Sequence, residues 1–168
     1  MSRYMRTGPQ FPGIHPMATR TFNPSVTVAA IVERDGRYLL IEENVLGRRV
    51  LNQPAGHWEQ GENLIQACVR ETLEEAACDV TPTALVGIYQ RHEEAEGKTY
   101  LRLAFSARFD AEYPGRTLDK GIVRTWWLTP EELRQRAGEH RTPLVMRCVE
   151  DHLAGRRVSL DLLQDSGL

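Results

Sequence analysis

The sequence is short of cysteine and has no excess of charge of either sign. Its three cysteines among 168 residues are odd in number and widely spaced. This pattern excludes a disulfide framework, resembles no zinc site and suits a reducing compartment. A formal net charge of −2 leaves no surface that attracts polyanions, so we expect no nucleic-acid partner.

Long hydrophobic runs are also missing. No apolar stretch approaches the length of a membrane-spanning helix, and there is no hydrophobic core of a signal peptide. We therefore expect no membrane partner and a cytoplasmic location. Hydrophobic residues make up 41% of the chain and charged residues 26%, which is typical of a globular domain. The length fits one domain with a substantial core.

Proline is concentrated near the N-terminus. Four of the nine prolines fall within residues 1–24, together with several arginines and little hydrophobic periodicity. We predict a flexible extension over residues 1–24 and a single domain over residues 25–168. The natural protein could instead begin at Met17, in which case the preceding residues would be non-native.

Alternation of apolar and polar residues predicts several strands. Val26 to Val32 is apolar on both faces, as a central strand requires. Asp35 and Gly36 predict a tight turn into a second strand. The other expected strands are residues 37–42, 50–56, 84–90, 99–109 and 122–128, and the expected loops between the later strands are residues 91–98 and 110–121.

Three helices are expected between and after these strands. The first is predicted over residues 63–77, with Asn63 and Gln66 at the spacing of a capping box. Its apolar face is expected to comprise Ile65, Val69, Thr72 and Ala76. Thr129-Pro130 and Thr142-Pro143 have the pattern of helix starts. The core face expected for the last helix comprises Leu144, Val145, Cys148, Val149 and Leu153. Strands on both sides of one helix, followed by further helices, predict an α/β/α sandwich with a mixed sheet.

The first helix carries three acidic residues that project from it together. Glu71, Glu74 and Glu75 are spaced i, i+3, i+4. One interpretation is a solvated acidic surface, because such a pattern is common on exposed helices. The other is a site for a hard divalent cation, because Mg²⁺ prefers carboxylate oxygens and its charge would offset their repulsion.

The residues around these carboxylates favour the second interpretation. The matching positions, at the spacing of the Nudix signature, are Gly56, Glu62, Arg70, Glu71, Glu74 and Glu75. The chain thus resembles the Nudix hydrolases. It departs from the pattern at Thr72 and Cys78, where aliphatic residues are usual, and at Ala77, where glycine is usual. Ala77 is expected at the helix end, where a left-handed backbone is easiest for glycine.

The resemblance implies a Nudix-type α/β/α sandwich that hydrolyses a phosphoanhydride with Mg²⁺, or with Mn²⁺ in its place. Glu71 and Glu75 would be the principal metal ligands, and Glu74 a ligand or the general base. Which of the three carboxylates is the base is left open. Arg70 would pair with Glu62 and hold the loop against the helix. Its other expected role is a surface ion pair with Glu74. The backbone carbonyl of residue 55 or 56 would be a further ligand.

Residues outside the signature suggest substrate contacts. Arg102 could pair with a phosphate, although a structural ion pair is an equal alternative. His57 and Trp58 could stack on a ring. The run Asn52 to His57, with Gln53 in it, and Tyr100-Leu101-Arg102 resemble the NudJ-type phosphatase branch of the family. A loop could supply an additional acidic metal ligand, and the candidates are Glu93, Glu94, Glu96 and Asp119. The favoured alternative for each of them is a solvated side chain.

That branch implies release of phosphate from nucleoside di- and triphosphates and from thiamine-type pyrophosphates. The alternatives are a Nudix hydrolase for ADP-ribose or an oxidised nucleotide, and a Nudix-fold binding module without catalysis. The expected partner is a small diphosphate substrate, and the expected assembly is a monomer or a homodimer.

Overall fold

The computed structural model describes residues 22–164. The extension expected over residues 1–24 lies, apart from its last three residues, outside the described range. In chain order the elements are β1 Ser25–Arg34, β2 Arg37–Val45, β3 Arg48–Asn52, β4 Ala55–His57, α1 Leu64–Ala76, β5 Cys78–Glu93, β6 Lys98–Glu112, β7 Ile122–Leu128, α2 Pro130–Gln135 and α3 Leu144–Leu153. Two short 3-10 helices lie at Ala137–Glu139 and Leu160–Leu162.

The strands form a mixed sheet in the order β3-β2-β1-β6-β5, with β4 paired to β1 and β7 paired to β2. Strands β1 and β6 run parallel, whereas their other pairings are antiparallel. β1 is central and buried on both faces, which confirms the prediction made from its apolar residues. Asp35 and Gly36 both have positive φ at the β1–β2 turn, as the predicted tight hairpin requires.

Two apolar clusters hold helices on opposite faces of the sheet. On one face Val28 and Ala30 of β1 pack in a cluster with Ala67 and Cys68 of α1. On the other face Ile31 belongs to a cluster that includes Leu133 of α2 and three buried residues of α3, which are Val145, Cys148 and Val149. The alternation of β1 side chains between the two faces produces the predicted α/β/α sandwich.

The predicted ends of α1 are confirmed. The Asn63 side chain accepts from the Gln66 N–H, and the Gln66 side chain accepts from the Asn63 N–H, both at 2.8 Å. Ala77 adopts the left-handed conformation, with φ of 52°, and its N–H donates to the Leu73 carbonyl. Within the expected apolar face Thr72 and Ala76 are buried, while Ile65 and Val69 are half-buried.

Two predictions about loops and one about the last helix are wrong in part. Half of the expected loop over residues 91–98 is strand, and residues 94–97 form a turn. β6 likewise continues to residue 112. Continuous backbone pairing of β5 with β6 keeps these polar residues in strands. Thr129 caps the predicted start of α2 and forms a capping box with Glu132. The predicted start of α3 has no side-chain cap, and Leu153 is 52% exposed rather than in the core.

No helix among residues 22–164 has the length and apolar character that a membrane crossing would need.

We predict that Asn63→Ala lowers the free energy of unfolding by about 1 kcal/mol, because it leaves the first turn of α1 without its side-chain cap. Asn63→Asp keeps an acceptor at the same position and should stay close to the wild type. Urea denaturation followed by circular dichroism measures both variants. Equal losses in the two variants would contradict the capping role.

Candidate active site

A cleft of about 490 Å³ is lined by residues of helix α1, of several strands and of the segment that precedes α3. The strand pairings bring its walls together: Thr27 of β1 stands opposite Arg102 of β6 and opposite His57 of β4. Residues from separate parts of the chain therefore face one space. The remaining lining residues are Val45, Asn52, Ala55, Gly56, Glu59, Glu71, Glu75, Arg91, Glu93, Glu96, Tyr100, Arg141, Thr142 and Leu144.

The Arg70 guanidinium fastens the loop that precedes α1 to the helix. Its Nε donates to Glu62 Oε2 at 2.8 Å, and its Nη2 donates to Glu62 Oε1 at 2.6 Å. Nη2 also donates to the His57 carbonyl at 3.0 Å. The hydrogen bonds to Glu62 raise the pKa of Arg70, and those same bonds lower the pKa of Glu62. This two-bond geometry is the strong form of an arginine–carboxylate pair.

Arg70 also partners two carboxylates of its own helix. Nη1 donates to Glu71 Oε1 at 2.7 Å and to Glu74 Oε2 at 3.1 Å. Both expected roles of Arg70, the pair with Glu62 and the pair with Glu74, are therefore present in the structure. Glu74 does not line the cleft. Its Oε2 atom is engaged by Arg70.

Glu71 is buried against the backbone of Gly56. Its side chain is 11% exposed. A Cβ atom added to Gly56 would stand 2.1 Å from the Glu71 carboxylate, which is far inside van der Waals contact. Glycine at position 56 therefore leaves open the space that the Glu71 carboxylate occupies, and any side chain there would displace that carboxylate. Burial raises the pKa of Glu71, while the hydrogen bond from Arg70 acts against that rise.

Glu75 lies one turn beyond Glu71 on the same face of α1. Its Oε2 accepts from the Ala55 N–H at 2.8 Å, which ties the helix to the start of β4. The pKa of Glu75 is raised to about 8, mainly by burial. The charges of Glu71 and Glu43 act in the same direction, and the hydrogen bond from Ala55 acts against them. Glu75 therefore lies in a site that favours a neutralising partner.

The Glu71 and Glu75 carboxylates are the residues expected to hold a metal ion. Within residues 22–164, no three acidic, histidine or cysteine side chains are arranged so that they could hold a metal ion as they lie. Arg70 engages one oxygen of Glu71, and the Ala55 N–H engages one oxygen of Glu75. The donor chemistry nevertheless fits a divalent cation: two oxygen-donating carboxylates line the cleft, and burial raises the pKa of both.

Arg102 is a buried cation in the same cleft. It is 9% exposed, and its nearest side-chain acceptor is Asn52 Oδ1 at the long distance of 3.5 Å. No carboxylate among the described residues forms an ion pair with it, so the alternative of a structural ion pair is not supported. Burial lowers the pKa of Arg102, but arginine stays charged in proteins.

The expected role of Gln53 is corrected. Gln53 is 1% exposed and its Nε2 donates to the Val145 carbonyl at 2.7 Å. Its side chain therefore joins β3 to α3 inside the domain and does not line the cleft. The sequence run that suggested a substrate contact does not distinguish inward from outward side chains, because the sheet decides that.

The other candidates divide between the cleft and the surface. His57 lines the cleft, whereas Trp58 does not and donates from Nε1 to the Glu62 carbonyl at 2.7 Å. Glu93 and Glu96 line the cleft, but each already has a partner on β5 or β6. Glu93 pairs with Arg91, and Glu96 accepts from the Tyr100 hydroxyl. Glu94 and Asp119 lie outside the cleft.

Sequence reasoning gave no role to Arg91 or Arg141, which also line the cleft. Arg91 could have been found from alternation along β5 had the strand been extended beyond residue 90. Arg141 lies in the segment between α2 and α3, and no motif or periodicity in the neighbouring sequence indicates that it lines the cleft. Its position depends on a contact with the distant strand β2.

Comparisons with known proteins agree with this geometry. The model of the NUDIX domain matches residues 21–148. Phosphatase NudJ from Escherichia coli K12 is 34% identical over 145 residues, which cover 86% of this chain and 93% of that relative. A NUDIX hydrolase structure from Nitrosomonas europaea has a TM-score of 0.84 and 50% identity, covering 86% of this chain and 98% of the other.

A more distant solved structure shows the fold alone. An ADP-ribose pyrophosphatase from Streptococcus suis has a TM-score of 0.61 and 18% identity, covering 77% of this chain and 92% of the other.

The chain therefore belongs to the Nudix hydrolases. It is a hydrolase that acts on pyrophosphate compounds, with the mixed-sheet sandwich of that family.

We predict that Gly56→Ala lowers the turnover rate at least tenfold, because the new methyl group forces the Glu71 carboxylate out of its position. The fold should survive, since the end of a flexible side chain can move. Gly138→Ala is the matched control, because a Cβ at Gly138 meets nothing within 4 Å. Turnover and urea denaturation are measured on both variants. Unchanged turnover in a folded Gly56→Ala protein would contradict this role.

A second prediction concerns stability and pH. The ordinary pKa of 4.5 applies to Glu75 in the unfolded chain, so between pH 4.5 and about 8 the folded protein binds more protons. The contribution of Glu75 to stability therefore falls as the pH rises through that range. Without divalent cations, Glu75→Gln should be more stable than the wild type at pH 8, by on the order of 1 kcal/mol after allowance for its partial exposure.

The difference between the Glu75→Gln variant and the wild type should close as the pH approaches 4.5. Urea denaturation at pH 5 and pH 8 measures it, and the exposed residue Glu94 supplies the control variant Glu94→Gln. Identical pH dependence in all three proteins would show that the charge of Glu75 carries no penalty in the fold.

Proposed function

We propose that this enzyme uses Mg²⁺, or Mn²⁺ in its place, to cleave a phosphoanhydride bond of nucleoside di- and triphosphates or of thiamine-type pyrophosphates, with release of phosphate. The observation that carries the proposal is the pairing of opposite charges across one cleft. Glu71 and Glu75 lie on the α1 side, and Arg102 lies buried on β6 without a carboxylate partner. Such a cleft matches a phosphate group bound with its cation.

Each residue then has a defined task. Glu71 and Glu75 would hold the cation, with the carbonyl of Ala55 or Gly56 as a further ligand. When bound, the cation would offset charge on the leaving phosphate and lower the pKa of a bound water. Arg102 would bind a phosphate oxygen, and its burial strengthens that attraction. His57 would contact the substrate at the mouth. Glu62 and Arg70 keep the loop and the carboxylates in place.

Two further observations support the choice of substrate and compartment. The similarity to the NudJ phosphatase covers most of both chains, and the motif of residues 52–57 lines or supports the cleft. All three cysteines are unpaired and buried, in keeping with the reducing interior of the cytoplasm, where we place the enzyme.

We predict that the wild type releases orthophosphate directly from nucleoside di- and triphosphates and from thiamine pyrophosphate when Mg²⁺ is present. A colorimetric phosphate assay over these compounds and ADP-ribose tests this. Cleavage inside ADP-ribose gives two phosphomonoesters, so its phosphate would appear only after an added phosphatase. Preference for ADP-ribose would replace the first substrate class by the alternative, and tight binding of all compounds without turnover would favour a binding module.

The same assay examines the metal ligands. Glu71→Gln should lower kcat by about 10²–10³-fold, because it removes a charge from the cation site. Glu93→Gln is the matched control, since Glu93 lines the same cleft but pairs with Arg91. An equal loss in both variants would contradict the assignment of Glu71.

A further inference from the structure

Two neighbouring residues of β2, Glu42 and Glu43, are buried carboxylates with different surroundings. Glu42 is 6% exposed and is fully engaged, since Arg49, Arg124 and the Trp126 Nε1–H surround its two oxygens. Glu43 is 8% exposed and has a single cationic partner, the Arg141 guanidinium, at 2.5 Å. Consecutive residues of a strand point to opposite faces, so the two ion pairs lie on different sides of the sheet.

The Glu43 carboxylate is not satisfied within the fold. Its Oε1 atom is buried and has no hydrogen-bond partner among the described residues. Burying a charge is costly, and leaving one of its oxygens unpaired adds to that cost. The charge at position 43 therefore calls for a role other than stability, and its one partner indicates where that role lies.

Arg141 is held at the cleft from both ends. Its backbone N–H donates to the Leu51 carbonyl at 2.9 Å, which fixes the chain beside the end of β3. Its Nη1 is held by Glu43, and its side chain is 45% exposed and lines the cleft. The guanidinium thus has donors left over, because one carboxylate oxygen engages only part of its five N–H groups, and the residue lines the cleft.

Arg102 is a second arginine that lines the cleft. The residue after Leu51, Asn52, provides its long hydrogen bond, so the end of β3 supports both arginines. Burial lowers the pKa of Arg102, and the charge of Arg141 adds to that effect. The two arginines therefore lie near enough for their charges to interact. The charges of Glu43 and Glu75 act on Arg102 in the opposite direction, but neither carboxylate forms an ion pair with it among the described residues. An anion between them would remove the repulsion.

We propose that Arg102 and Arg141 form a two-arginine subsite for the phosphate groups of the substrate, and that Glu43 is a positioning residue that aims Arg141 into the cleft. The ligand class is a diphosphate or a longer phosphate chain. The identity of this anion as substrate rests on the proposed function. The subsite itself rests on the buried unpartnered cation, the orphaned carboxylate oxygen and the shared cleft.

Binding of methylenediphosphonate, a diphosphate that hydrolases cannot cleave, tests the subsite directly. Isothermal calorimetry is run on the full chain with and without Mg²⁺. Arg141→Met should weaken binding by about 10-fold or more, the loss expected for hydrogen bonds to a charged group. Arg141→Lys should recover part of the affinity. Glu43→Gln should weaken binding less, because the guanidinium remains but is no longer held.

The ion pair of Glu42, the neighbour of Glu43 on β2, supplies the matched control. Arg49→Met removes the same type of arginine from the same type of buried carboxylate, yet Arg49 does not line the cleft. It should leave the affinity unchanged. Because Arg141→Met leaves Glu43 without a partner, the double variant Glu43→Gln/Arg141→Met provides a second measurement free of that unpaired charge. It should bind as weakly as Arg141→Met.

Kinetics separate positioning from a purely structural effect. On a substrate that the wild type cleaves, Arg141→Met and Glu43→Gln should raise KM about as much as they weaken diphosphonate binding, with kcat changed much less. Equal affinities for Arg141→Met, the double variant and Arg49→Met would overturn the proposal while leaving the proposed hydrolysis intact. If no substrate is cleaved but the binding differences hold, the proposed function fails and the subsite stands.

Discussion

The structure depends on the guanidinium of Arg70. This one group binds Glu62 from the loop, Glu71 and Glu74 from its own helix and the carbonyl of His57. Three carboxylates this close would otherwise repel one another. The cation offsets that repulsion and couples the loop to the helix in the same step. These hydrogen bonds therefore join the loop after β4 to the acidic face of α1.

The sheet decides what faces that unit. β1 is buried on both sides, so α1 packs on one face and α3 on the other. β4 pairs with one edge of β1, and β6 pairs with the other. These pairings place Gly56 of β4 and Arg102 of β6 around the same cleft. The result is a cleft to which α1 contributes two carboxylates, while β6 and the segment before α3 contribute the arginines Arg102 and Arg141. A diphosphate that carries a divalent cation has the complementary distribution of charge.

Burial gives these charges their effect. In water the interactions of Glu75 or Arg102 with a ligand would be weak, whereas in a partly desolvated cleft they are several times stronger. The cost appears in the free protein, where burial raises the pKa of Glu75 and lowers that of Arg102. The fold maintains this unfavourable arrangement because the apolar clusters on both faces of β1 are independent of the cleft. Stability and reactivity are thus supplied by different residues.

Local sequence was sufficient for the features that neighbouring residues decide. The capping box of Asn63 and Gln66, the turn at Asp35, the apolar centre strand and the spacing of the α1 carboxylates could all be predicted, since each depends on contacts a few residues apart. Gln53, Arg102 and Arg141 could not be placed in this way. Whether Gln53 points into the core, whether Arg102 meets a carboxylate and whether Arg141 reaches Glu43 depend on pairings between distant segments. The sequence therefore determined the family and its acidic helix, while the folded sheet alone decided which cations complete the cleft, because only long-range packing brings those side chains together.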